Sequence, residues 1–376
     1  MASIKPYDTK SGRRWRVDYV KPDGKNTSKR GFIRKGDAQA WAEHNAVSVR
    51  SGEWVAERDK HRRLDSFWDA WWASKQILEP GSTTVMERSW RIYVKPRWGD
   101  YAVGSIRKSE VQAWLAEHKE KASSISRAFG VLAGLLDQAV EEQCLPRNPV
   151  RGVVLPRRPQ PKHVYLSMDQ VSQLVEECSQ QKMLVLLLAT TGLRWGEAVG
   201  LQKRDLMAGK DRIRVERAVK DVGHVLSIGG LKTHETRVVA APHSVMVALR
   251  RQARGLEPGG LLFTKPGGGM WGNLGKNDFF NMAVKRMVDD GRLPERITAH
   301  GLRHVAAGLL VSAGANVKVV QRQLGHKSAA MTLDTYADLF DGDLDEVASV
   351  MDGVLSSSVK FTSRGDFLRV VDEKTA

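Results

Sequence analysis

Residues 298–336 read TAHGLRHVAAGLLVSAGANVKVVQRQLGHKSAAMTLDTY, and the architecture of the second half of the chain turns on this stretch. Its apolar residues recur at helical spacing and the pattern breaks at Gly314 and Gly325. The expectation is a run of helices from after Thr298 to about Leu355. His300 and Arg303 stand at i and i+3, so they share one helical face. His326 follows the second break in Leu324-Gly-His-Lys-Ser328, and Tyr336 ends Met331-Thr-Leu-Asp-Thr-Tyr336.

Upstream, Ser167-Met-Asp-Gln170 opens a helix. The apolar run Met183 to Ala189 reads as a core helix, too short to span a membrane. It leads into Thr190-Thr-Gly-Leu-Arg-Trp-Gly-Glu197, which holds Arg194. Residues 212–219, 225–228 and 236–240 read as three strands. Gly229-Gly230 and the following residues, including Lys232, lie in the turn between the last two. Residues 64–155 are helical: Leu64, Trp68, Trp71 and Trp72 share a helical period. A second helix opens at Gly81-Ser82 and stops before Pro96. A third starts at Ser109-Glu-Val-Gln112, which has capping-box form, and a fourth covers 123–142. Residues 156–162 are basic and Pro-rich and read as a linker.

At the other end, Trp15, Val17 and Tyr19 alternate with Arg14, Arg16 and Asp18, a strand pattern. A turn at Lys21-Pro-Asp-Gly24 leads to a second strand through Lys29 to Ile33. Asp37 caps a helix from Ala38 to about Val49. The fold class expected is multidomain α+β: a small sheet-plus-helix module (1–58), a helical domain (64–155), a mainly helical domain with a small antiparallel sheet (163–355) and a tail (356–376) with at most one short strand at 367–371.

Lys and Arg number 59 against 43 Asp and Glu, a formal charge of +16. An excess of that size points to an acidic partner. With no spanning segment, no signal-peptide pattern and only Cys144 and Cys178, nucleic acid in a reducing cytoplasm is expected, not a membrane.

The separated residues Arg194, Lys232, His300, Arg303, His326 and Tyr336 contain every part needed to break a phosphodiester without metal. Arginine forks hold phosphoryl oxygens as charge grows there. A nucleophile attacks and an acid protonates the leaving oxygen. Taken singly, each has an ordinary reading. An arginine in so basic a chain is usually solvated, and a tyrosine usually packs. His300 and His304 lack the HExxH glutamate of a zinc site, and no cysteine lies near in sequence. Asp341, Asp343 and Asp345 lack the sixth-position glycine of a calcium loop, where Glu346 stands. No phosphate-binding loop is present, and neither metal nor cofactor is expected.

Four boxes in order resemble the tyrosine recombinase (phage integrase) family from Val164 to about Leu355. Thr-Gly-Leu-Arg194-Trp-Gly-Glu is similar to the first arginine box. Leu-Lys232-Thr-His-Glu-Thr-Arg is similar to the hairpin lysine box, where a basic residue usually follows Lys-Thr. His300-Gly-Leu-Arg303-His304 resembles the second arginine box, and Leu-Gly-His326-Lys-Ser with Tyr336 resembles the last. Trp195 and Val305 depart slightly from the pattern.

The resemblance implies that Tyr336 forms a 3′-phosphotyrosine and Lys232 protonates the 5′ oxygen. Arg194 and Arg303 would hold the non-bridging oxygens, His300 and His326 would assist, and Glu197 would support the first box. His304 is read as structural. Residues 64–155 resemble the helical (SAM-like) core-binding domain, including Asn148-Pro149-Val150. Residues 1–58 resemble an arm-type DNA-binding module whose three-stranded sheet enters a groove, with Arg14, Arg16, Lys25, Lys29, Arg30 and Arg34 as candidate DNA contacts. Implied partners are double-stranded DNA with core-type and arm-type sites, three further copies in a homotetramer, a host DNA-bending protein and an excisionase. Val347, Val350, Met351 and Leu355 could dock on a neighbour or pack within the subunit. A type IB topoisomerase-like enzyme and a non-catalytic architectural DNA-binding protein are the alternatives.

Overall fold

A computed structural model describes residues 2–157, 163–223, 225–231 and 236–339, and further on 348–349, 351–353 and 355. Lys232, most of the expected linker, Asp341, Asp343, Asp345, Val347, Val350 and the expected strand at 367–371 lie outside the described residues. The chain forms two compact units, 1–160 and 161–376.

The first unit opens with an antiparallel sheet, β1 (Ser3–Thr9), β2 (Gly12–Val20) and β3 (Asn26–Phe32), in that order. Apolar alternation did not reveal β1, whose residues are mostly polar and include Pro6. As an edge strand, β1 tolerates a proline that cannot donate to a ladder. Gly31 at φ +102° sits where the β2–β3 register shifts between Trp15 and Arg16, a bulge that suits a residue without Cβ. Helix Lys35–Arg50 covers one face, burying Val17, Ala38 and Ala42 with Ile4, Trp15, Phe32 and Trp41 against them. This helix starts before the expected Asp37 cap. Arg34 is its extended N-cap residue, and Asp37 lies in the first turn, where a carboxylate favours the helix dipole.

A second core in this unit gathers Trp71, Trp90, Trp98 and Trp114 with the apolar face of Ala122–Glu141. The helical path does not stop at Pro96. Pro80–Ser89 passes through a π-turn (Trp90–Val94) into Lys95–Trp98; such a turn locally replaces the i→i−4 ladder, which proline cannot continue. The capping box expected at Ser109–Gln112 does not form, because the next helix, Lys108–Glu117, starts one residue earlier: the Glu110 carboxylate accepts from the backbone N–H of Arg107 at 3.1 Å. Buried Asn148 donates to Ala133 O (2.9 Å) and Asp137 Oδ1 (2.7 Å) and accepts from Val150 N (3.1 Å), pinning residues 148–150 to the long helix.

The second unit surrounds Lys182–Thr191, an almost wholly apolar helix packed by helices Met168–Glu177, His243–Gln252 and Gly301–Ser312. The helix expected from Ser167 starts there, closed by a capping box not expected at that position: Ser167 Oγ accepts from Gln170 N at 3.2 Å and Gln170 Oε1 from Ser167 N at 3.1 Å. The expected strand 212–219 divides at Glu216. β4 (Arg212–Val215) pairs with β7 (Arg237–Ala240), and β5 (Arg217–Val222) pairs with β6 (Val225–Gly230). Gly229 and Gly230 therefore lie in a strand, opposite Ala218 and Arg217. Beyond residue 300 the breaks fall near the two glycines, giving Gly301–Ser312, Val317–Leu324 and Ala329–Tyr336.

Candidate active site

Two left-handed glycines shape the centre of the second unit. Gly192 (φ +69°) ends helix Lys182–Thr191 and turns the chain so that Arg194 precedes the short helix Trp195–Val199. Gly325 (φ +70°) ends Val317–Leu324 and delivers His326. A Cβ at Gly325 would stand 2.7 Å from Arg237 Cδ, so the turn is closed around that arginine. Gln323, buried, ties three elements: it donates to Thr191 O (3.1 Å) and Ala240 O (2.7 Å) and accepts from Ala240 N (2.9 Å).

Glu197, 3% exposed, organises the arginines. It accepts from Arg194 N and Arg194 Nη1, both at 2.9 Å, and from Arg237 through Nη1 (2.9 Å) and Nη2 (2.6 Å). Burial raises its pKa, but the hydrogen bonds and charge of Arg237, then Arg194, outweigh that and hold it down at about 2. Arg303, also 3% exposed, donates to Gly192 O at 2.8 Å. Burial and the charge of Arg194 lower its pKa to about 10, so it stays cationic near neutrality.

Tyr336 is fully enclosed. Its Oη lies 3.0 Å from Nδ1 of His304. Its ring is parallel to that of His326, with centroids 6.1 Å apart. Burial raises the phenol pKa and the nearby Arg303 charge opposes that rise. Nδ1 of His326 meets Thr332 Oγ1 at 2.9 Å. Exposed His300 lies with its ring edge-on to His304, centroids 5.6 Å apart, and His163 stacks on His304 at 4.0 Å. Burial first, then neighbouring basic groups, hold His304 and His326 at about 4 and lower His300. All three are neutral near pH 7.

Arg194, His300, Arg303, His326 and Tyr336 thus meet in one cluster, while Lys232 lies outside the described residues. Sequence reading passed over Arg237 and Gln323 and set His304 aside. Arg237 ends the motif that carries Lys232, but spacing alone cannot say that it shares a carboxylate with Arg194. Among the described residues, no three His, Cys, Asp or Glu side chains group in a way that could hold a metal ion.

The six candidate DNA contacts of the N-terminal module do not share one face. Arg14, Arg16 and, opposite Arg16, Arg30 point away from the covering helix. Lys29 pairs with core residue Val17 and so lies on the helix-bearing side, because alternate residues of a strand face opposite ways. Lys25 lies in the β2–β3 turn and Arg34 at the helix start.

The family model described as the phage integrase family matches residues 164–342. The chain is 27% identical over 344 residues to an integrase of Mycobacterium phage D29, covering 86% of this chain and 90% of that one. An integrase/recombinase-type protein of Sinorhizobium fredii (y4qK) is 30% identical over 224 residues, covering 59% and 67%. Among solved structures, the Tn1549 transposon integrase in complex with transposon right-end DNA superposes with a TM-score of 0.65 at 22% identity, over 78% of this chain and 99% of that one.

Proposed function

This chain belongs to the phage integrase family of tyrosine recombinases and is a site-specific recombinase, and from that premise we propose that it integrates and excises mobile-element DNA through a 3′-phosphotyrosine at Tyr336. One observation carries this reading: an enclosed phenol lies in a histidine cluster within electrostatic reach of the buried guanidinium of Arg303. Arg194 and Arg303 hold the non-bridging oxygens of the scissile phosphate. A charge-assisted hydrogen bond of this kind contributes about 1.5–3 kcal/mol, and more where water is excluded. Their charge also lowers the cost of forming phenolate, so the same cations activate the nucleophile and stabilise the transition state. Neutral His300 and His326 donate to the phosphate and handle protons. Lys232 protonates the departing 5′ oxygen. Glu197 keeps Arg194 aimed, with Arg237 balancing its charge. Because Oη is enclosed, the Ala329–Tyr336 helix or its surroundings shift before oxygen meets phosphorus.

Residues 64–155 bind the core site as a helical domain. Residues 1–58 bind the arm sites, with Arg14, Arg16 and Arg30 as the groove-facing set. The active form is a homotetramer on two duplexes in the cytoplasm of a bacterial host, assisted by a DNA-bending protein and an excisionase. The family's integrase and recombinase members do not favour the topoisomerase or architectural alternatives.

The test is a recombination assay on paired duplexes drawn from DNA flanking the gene. Joint molecules are expected with the unaltered chain and none with Tyr336→Phe. Relaxation of supercoiled plasmid without joint molecules would favour a topoisomerase-like activity.

A further inference from the structure

The histidine nearest the nucleophile is neither His300 nor His326. His304 Nδ1 is 3.0 Å from Tyr336 Oη, whereas Nδ1 of His326 is bonded to Thr332. One turn along its helix from His300, His304 presents a ring nitrogen to the phenol. The ring is held from behind by His163, whose plane lies 26° from parallel at a centroid distance of 4.0 Å.

We propose that His304 is a catalytic residue that accepts the phenolic proton of Tyr336 during attack, and that His163 is a positioning residue that fixes the His304 ring by stacking. The inference rests on the recombinase reading above and adds a residue to it. The groups that face His304 are His163 from the segment before helix Met168–Glu177, His300 and Arg303 from its own helix, His326 from the loop after Val317–Leu324, and Tyr336 itself. Burial first, then the neighbouring basic groups including the Arg303 charge, make a second proton on His304 costly, so near pH 7 the ring is neutral and, in the tautomer protonated on Nε2, Nδ1 accepts. An incoming phosphodiester brings one negative charge. It offsets part of that cationic field at the step when the proton must move.

The phenolic proton passes from Oη to His304 Nδ1 as the Oη–P bond forms. The P–O5′ bond breaks, and the 5′ oxygen leaves with a proton from the acid role assigned to Lys232. The phosphodiester keeps its single negative charge, His304 gains one proton and Lys232 loses one. In religation both protons return.

The experiment uses the full chain and a nicked duplex bearing the attachment core, with covalent adduct formation as the readout. His304→Ala is expected to slow adduct formation by about 10²–10⁴-fold, the usual scale of a positioned base, while DNA affinity is unchanged. A ring-fluorinated tyrosine at position 336, which ionises more readily, is expected to restore at least about tenfold of that loss, because base catalysis depends on the acidity of the proton removed. His304→Asn can hold the phenol but cannot take its proton, and is expected to be equally slow and equally rescued. It decides the matter should His304→Ala fail to fold. His163→Phe, which keeps a stacking ring, is expected to stay within threefold of the parent chain, and His163→Ala to fall below it.

A His304→Ala rate within threefold of the parent, or above it as for a latch that merely parks the tyrosine, overturns the proposal. So does a loss that fluorinated tyrosine leaves untouched. If the unaltered chain forms no adduct at all, the recombinase reading fails and takes this inference with it. An active parent with a normal His304→Ala rejects the inference alone.

Discussion

Glu197 is enclosed between two guanidinium groups, and its neutral form would keep an acceptor but lose the charge that balances them. Removing its charge by Glu197→Gln leaves Arg237 and Arg194 facing an amide inside the protein. Breaking one partner out of a buried pair typically costs about 3–5 kcal/mol, so a lower unfolding midpoint in urea is expected. The pH dependence has a definite sign. A folded pKa of about 2, below the ordinary 4.5, means the stabilisation is complete above the ordinary value and is lost as pH falls toward 2. Acid titrations of the two chains should therefore converge across that window. A mutant gap unchanged down to pH 2 would deny the ion pair this role. His304 and His326 run in another window: held at about 4 rather than 6.5, they favour the folded state above 6.5 and progressively less as pH falls to 4. The proposed catalytic residues were legible because they lie in four ordered boxes. The pairing of Arg237 with Glu197, and of His304 with Tyr336, was not. Those contacts join residues 40 and 32 positions apart, and no local period encodes them.

Turns at Gly192 and Gly325 set where the helices stop and what the loops deliver. Gly325→Ala forces a side chain into the left-handed region, at about 1–2 kcal/mol, and drives its Cβ against Arg237. A lowered melting temperature is expected, together with slower adduct formation than an equally destabilising change in the 1–160 unit produces. Equal activity at equal stability would show that the turn does not position Arg237. Gln323→Leu would strip the partner from buried Thr191 O, which costs about 1–3 kcal/mol, and from the part-buried Ala240 backbone. Helices read well from sequence, since glycine breaks and apolar periods are local. Strands read less well. Residues 212–219 look continuous in composition, yet they divide at Glu216 because β4 and β5 find different partners, β7 and β6. Edge strand β1 escaped notice because its residues are mostly polar, with Pro6 among them. Helix continuity through Pro96 depended on a π-turn that no residue pattern announces.

Across the whole chain, a charge of +16 is the electrostatic signature of a partner made of phosphates. Binding to a duplex carrying core and arm sites should weaken steeply with salt, with a log–log slope of about −0.9 for each phosphate neutralised. Deleting residues 1–58 should make the slope shallower and abolish arm-site protection while sparing core cleavage; an unchanged footprint would remove the arm role from Arg14, Arg16 and Arg30. The most direct test of the chemistry is to trap the covalent complex on a nicked duplex, digest it and locate the DNA-linked residue by mass spectrometry. A phosphodiester on Tyr336, formed in the presence of a metal chelator, is expected. DNA linked to any other side chain, or cleavage that leaves none linked, would contradict the mechanism.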